Sequence, residues 1–207
     1  MLLSQGKIAL VPFVFEQMKQ HYWETPTTYK ARVTRGFTRL KPTPYSNETG
    51  REIRDYKQAV TPLADTRRYL FAGFGKCCYR FQRFQSDDER RFAVLIDGRH
   101  EPSVKHWIKP APKQFDNIHY AKGNIYQPDF LLETDDEMLI CEVKARNELD
   151  DPVVKAKANA ASLWVSEANK IATEMGKKHW RYLLIPHDAI GPSATLSGLG
   201  NRYGLAP

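Results

Sequence analysis

Asp129, in Gln127-Pro128-Asp129-Phe130, and the run Glu142-Val143-Lys144 supply two carboxylates and an ammonium from neighbouring segments. The residues around them, 125–133 and 138–145, read as strands parted by Thr134-Asp135-Asp136. If the hairpin turns about Asp135-Asp136 with an even-numbered loop, facing residues have numbers that sum to 271, and Asp129 lies opposite Glu142. Opposed residues on one sheet face have Cβ atoms about 4.5–5.5 Å apart, and like charges there are destabilising. Alternation along the second strand puts Ile140, Glu142 and Lys144 on one face and Leu139, Cys141, Val143 and Ala145 on the other. A hard divalent cation would offset the repulsion through oxygen ligands. Mg²⁺ keeps waters and substrate phosphate oxygens as its remaining ligands, and Mn²⁺ accepts the same donors. A cation-bound water can act as the nucleophile of phosphodiester hydrolysis. Lys144 would orient that water, lower its pKa, or offset charge developing on the phosphate.

Other chemistries are excluded by spacing. His100-Glu101 is followed by a histidine only at His106, which is not a zinc-helix pattern, and no Gly-x-Ser-x-Gly elbow occurs. Gly73-Phe74-Gly75-Lys76 lacks the length and the Ser or Thr of a phosphate loop, so no ATP site is expected in this chain. Cys77, Cys78 and Cys141 offer no CxxC spacing, which argues against structural zinc and for reduced thiols in the cytoplasm.

The elements that must position these groups start at Ser86. Ser86-Asp87-Asp88-Glu89 is a capping-box pattern, with Phe92, Ala93 and Ile96 at helical spacing before Asp97-Gly98 stops the helix. A short strand over 104–109 precedes the two already named. Asp151-Pro152 then provides the N-cap and first-turn proline of a long helix reaching about Met175, with Gly176 just beyond its end. Val153, Ala160, Ala161, Trp164, Ala168 and Ile171 are expected to form its apolar stripe, and 180–185 a final strand closed by Pro186. The order is helix, three strands, helix, strand. This predicts an α/β domain over 86–207 with a mixed four-stranded sheet flanked by helices. Residues 1–85 read as a basic, β-rich accessory segment, strand-like over 8–15 and 29–40, with a short helix over 63–71 that ends near Gly73.

Charge divides along the same line. The chain carries 31 Lys plus Arg against 24 Asp plus Glu, net +7, yet residues 1–85 hold 15 basic and 6 acidic side chains, net +9. A basic segment beside a slightly acidic one suits a polyanion-gripping region next to a site that needs carboxylates. No run of 18 apolar residues occurs and the stretch 8–15 is broken by Pro12, so no spanning helix, signal peptide or membrane partner is expected.

Pro128-Asp129 and Glu142-Val143-Lys144, within that element order, resemble the PD-(D/E)xK nuclease superfamily and its restriction-endonuclease-like αβββαβ core. The segments 87–94, 126–130 and 180–188 are similar to the C-terminal endonuclease region of type III restriction enzyme Res subunits, and 36–42 and 67–76 to the segment preceding it. The resemblance implies a Mg²⁺-dependent endonuclease acting on double-stranded DNA in the cytoplasm of a bacterium or archaeon. It implies Asp129 and Glu142 as metal ligands, Lys144 as the catalytic lysine, and Glu89 as a further acidic residue near the metal. It also implies two partners: a helicase/ATPase motor and a methyltransferase-specificity subunit. The departure is that such subunits carry the motor ahead of the nuclease, and this chain has none, so ATP-driven translocation is not expected of it.

Several of these residues have a plainer use. Glu89 is where a capping box wants Glu in any case. Lys157, in the apolar stripe of the long helix, either faces the scissile phosphate or extends to water. Arg32, Arg35 and Arg39 are either a phosphate-contacting edge or a solvated one. Trp164 and Trp180 read as core side chains rather than base-stacking ones, and His187-Asp188 as a turn. The rival to a nuclease is a non-catalytic module of the same fold that binds DNA or a partner subunit. A connector between motor and specificity subunit is a third reading.

Overall fold

Ser86 is extended and its hydroxyl accepts from the Glu89 amide at 3.2 Å, so helix α1 (Asp87–Asp97) starts where the capping box predicts and ends at Gly98. The structure, a computed structural model, describes residues 40–43, 50, 52–114, 118–121 and 123–205. Arg32, Arg35 and Arg39 lie outside the described residues, as do the strands expected over 8–15 and, but for Leu40, over 29–40.

Strands β1 (Ile53–Asp55) and β2 (Leu70–Ala72) form a parallel pair before α1. After it come β3 (Val104–Ile108), β4 (Ile118–Ala121), β5 (Asn124–Tyr126), β6 (Phe130–Thr134), β7 (Glu137–Lys144), helix α2 (Pro152–Glu174), β8 (His179–Pro186), helix α3 (Leu196–Tyr203) and β9 (Gly204–Leu205). The molecule is therefore mixed α/β, with a five-stranded sheet ordered β3-β6-β7-β8-β9. Its pairs are antiparallel except β7 with β8, which run parallel because α2 carries the chain back across the sheet. Among the described residues no helix is long and apolar enough to cross a membrane.

Alternation along β7 divides the core. Leu139, Cys141 and Val143 pack with Phe92 and Ile96 of α1, while Ile140 packs with Ala158, Ala161 and Val165 of α2. The α1 side also takes in Tyr56, Val60, Phe71 and Phe84, so residues before α1 share its core. Asp97 ties them together. Its Oδ2 accepts from the Tyr56 hydroxyl (2.7 Å) and the Gly75 amide (2.8 Å), and its Oδ1 from the Lys76 amide and Trp107 Nε1 (2.8 Å each). Burial alone would raise the pKa of this carboxyl, but the four donors outweigh burial and hold it below the usual carboxylate range.

Four expectations need correction. The sheet has a fifth strand, β9, whose two residues are too few to show a periodicity. The run 125–133 is two strands, because Pro128 has no amide to give a ladder; β5 pairs instead with β4 in a separate ribbon. Residues 63–68 form a 3₁₀ helix but Leu70–Ala72 is strand, drawn into pairing with β1. On α2 the buried positions are Ala158, Ala161, Val165 and Ala172, whereas Val153 is exposed. Small side chains let the helix approach the sheet closely, and the larger Trp164 is left at its flank, edge-to-face with Trp180 at 5.1 Å.

Candidate active site

The β6–β7 hairpin pairs Phe130 with Cys141, Leu131 with Ile140, Leu132 with Leu139 and Glu133 with Met138, the sum-271 register throughout. Asp129 precedes β6 by one residue, and its Oδ2 accepts from the Val143 amide at 3.2 Å, which holds it across from the end of β7. Leu131 and Ile140 belong to the α2-side core, so by alternation Asp129, Glu142 and Lys144 share that side. The sheet thus brings these three together.

Glu142 is only 4% exposed. The Tyr126 hydroxyl donates to its Oε2 at 2.8 Å, and Lys144 Nζ lies 2.9 Å from its Oε1. Burial, and after it the charge of Asp129, pushes the Glu142 carboxyl up to about 7 even though Lys144 and Tyr126 oppose the rise. Burial works to lower the Lys144 pKa, but the Glu142 and Asp129 charges prevail and hold the ammonium up to about 12. The same cluster keeps the Tyr126 phenol neutral, burial first and the Glu142 charge second. Lys144 is therefore a fixed positive charge beside Glu142, a carboxyl that burial strains towards protonation.

Two carboxylates form the donor set of a cation that retains waters and takes up substrate oxygens, as Mg²⁺ does. They are too few for a zinc site, and among the described residues no group of three or more His, Cys, Asp or Glu could hold a metal by itself. In donor type the residues present fit the former kind of ion.

Glu89 has a different set of contacts. Its Oε2 accepts from the Gln85 amide and from Lys109 Nζ, both at 2.8 Å, so it caps α1 and anchors a partly buried lysine. It bonds to none of the three site groups, although both of its partners line the cleft beside Asp129. Lys157 puts its ammonium 5.5 Å from the centre of the Tyr120 ring and pairs with no carboxylate among the described residues. His187 and Asp188 form a 3₁₀ turn, with Asp188 bonded to Arg146 at 2.6 Å. Sequence reasoning missed Tyr126 as the donor to Glu142, since the hairpin that delivers it was read as part of another strand. It also missed Lys109, for which the sequence offers no signal.

Comparison of the chain with protein-family models, with curated proteins and with solved structures gives no match.

Proposed function

We propose that the chain is a Mg²⁺-dependent endonuclease that hydrolyses DNA phosphodiester bonds, the nuclease part of a type III restriction-like system working in the cytoplasm. A helicase/ATPase motor and a methyltransferase-specificity subunit would deliver it to double-stranded DNA. The observation that carries the reading is the convergence of Asp129, Glu142 and Lys144 on one side of the sheet through the 271 register. Bound Mg²⁺ would supply charge neutralisation and a water acidic enough to attack phosphorus. Asp129 and Glu142 would hold it, and Tyr126 keeps the Glu142 carboxylate oriented. Lys144, 2.9 Å from Glu142, turns to a phosphate oxygen once the carboxylate has another cation to balance it. As water adds to phosphorus and gives up a proton to solvent, the P–O bond to the leaving oxygen breaks and that oxygen takes a proton from solvent, while the ammonium would offset the charge that grows on the phosphoryl oxygens.

The test is nicking of supercoiled plasmid in Mg²⁺ or Mn²⁺ by the wild type and by Lys144→Ala. Loss of one such stabilising group lowers the rate by about 10²–10³-fold, with DNA affinity retained. Equal cleavage by both proteins refutes the assignment. A second reading has one observation in its favour: both Glu142 oxygens are already satisfied by Tyr126 and Lys144. A non-catalytic DNA- or subunit-binding module would keep that internal balance, and it would show neither Mg²⁺ binding nor nicking with the partner subunits present.

A further inference from the structure

A cleft of about 240 Å³ opens beside Asp129, and Arg83, Gln85, Lys109, Gln127 and Pro128 are among the residues that line it. Pockets that enclose a whole small molecule measure roughly 300–1,000 Å³. This one is smaller, which suits a single unit of a longer chain crossing it. Its two basic groups differ in what they have left to give. Lys109 is 14% exposed and its charge is balanced by Glu89 at 2.8 Å. Arg83 pairs with no carboxylate among the described residues; its Nε donates to the Arg67 carbonyl at 2.7 Å.

A guanidinium has five N–H donors in a planar fork. The Arg67 bond fixes the plane through Nε and leaves both terminal amino groups for an oxyanion, the bidentate geometry that phosphate accepts. A free small anion would meet the Asp129 carboxylate on the same wall and be repelled. A phosphodiester strand avoids that conflict, because one phosphate can sit at the site with its cation while a neighbouring one reaches Arg83. Gln85 and Gln127 line the same cleft with neutral amides.

We infer that this cleft is the track of the DNA strand that is cut, and that Arg83 grips a phosphate adjacent to the scissile one. The inference rests on DNA being the substrate, as proposed above. Arg83 then has, within the described residues, the phosphate-contacting role that was one of the two readings of Arg32, Arg35 and Arg39.

The experiment is fluorescence anisotropy of a short labelled duplex in EDTA, where no cleavage occurs, across a salt series. The proteins compared are the wild type, Arg83→Ala, Arg83→Lys and Lys105→Ala. Lys105 is the control because it is half-exposed and pairs with Asp135 at the hairpin turn. Arg83→Ala should weaken binding about tenfold at low salt and reduce the log–log salt slope by about 0.9, the signature of one lost phosphate contact. Arg83→Lys should recover part of the affinity, and Lys105→Ala should match the wild type. A thermal melt of each variant shows that it is folded, which the one side-chain bond of Arg83 among the described residues favours. Binding by Arg83→Ala within about twofold of wild type, or an equal loss in Lys105→Ala, overturns the inference. So does an absence of DNA binding by the wild type. Plasmid nicking run in parallel separates the two ideas. Arg83-dependent binding without nicking, with the partner subunits present, sinks the nuclease and leaves the cleft as a DNA track, whereas nicking that ignores Arg83 does the reverse.

Discussion

Replacing Asp97 by Asn changes one atom in a carboxylate that holds α1, β3 and the segment before α1 together. The native group accepts four hydrogen bonds, two on each oxygen, and is 7% exposed. An asparagine keeps one oxygen, so its amino group must face either the Tyr56 hydroxyl and Gly75 amide or the Lys76 amide and Trp107 indole. The first is cheaper, since a hydroxyl can turn to accept, but the Gly75 N–H then has no partner. An unsatisfied buried donor costs about 1–3 kcal/mol, and each of the two surviving bonds falls from charge-assisted to neutral, a loss of about 1 kcal/mol apiece. The expected destabilisation is about 3–5 kcal/mol, or a fall in Tm of about 6–20 °C at 2–4 °C per kcal/mol for a chain this size. Urea titration with unchanged m-value is the assay.

The pH dependence gives a second check on the same variant. The folded carboxyl titrates below its unfolded value, so its contribution is complete above about pH 4 and is lost as pH falls through the folded pKa. The gap between wild type and Asp97→Asn must therefore narrow in acid. A loss under about 1 kcal/mol at neutral pH, or a gap that widens in acid, would refute the account.

Glu142→Gln should be more stable than the wild type at pH 8 in EDTA and about equal to it at pH 4. The native carboxyl is raised to about 7, so the folded state holds the extra proton and wild-type stability declines as pH rises from about 4.3 towards 7; thermal melts at the two pH values decide it. Gly176 follows α2 with φ +60°, so Gly176→Ala should cost about 1 kcal/mol and Gly176→Asn less, measured by urea unfolding. Cys78 is exposed whereas Cys141 is fully buried, its thiol pushed up by burial, so a thiol reagent should modify Cys78 in the native protein and Cys141 only on unfolding, read by peptide mass.

What the sequence disclosed was local. Ser86 and Asp151 with Pro152 mark helix starts through bonds made within three residues, and Gly176 marks a stop through its own backbone. The β6–β7 register was legible because a two-residue Asp-Asp turn leaves few ways to pair the flanking apolar runs, and that register carries the facing of Asp129 and Glu142. What stayed hidden depended on partners distant in sequence. Asp97 reads as the end of a helix, and nothing nearby says that Tyr56 and Trp107 will bond to it. Pro128 did carry a warning that 125–133 was not one strand. The stripe of α2 is set by the sheet it lands on, so helical spacing alone placed Val153 in it wrongly.

The β4–β5 ribbon lies outside the main sheet, yet its last residue supplies the hydroxyl that holds Glu142. Its two ends therefore live under different rules. At the tip, Gly123 has a positive φ and open space around it, so extra residues there would hang in solvent and leave the site untouched. At the root, Tyr126 faces Ile118 and both are buried, while neighbouring Ile125 points outward and is 48% exposed. A single residue added between Asn124 and Tyr126 would slip the alternation, turn a phenol to solvent and offer Glu142 an isoleucine in its place. The ribbon can lengthen freely at one end only, and the chemistry is fastened to the other.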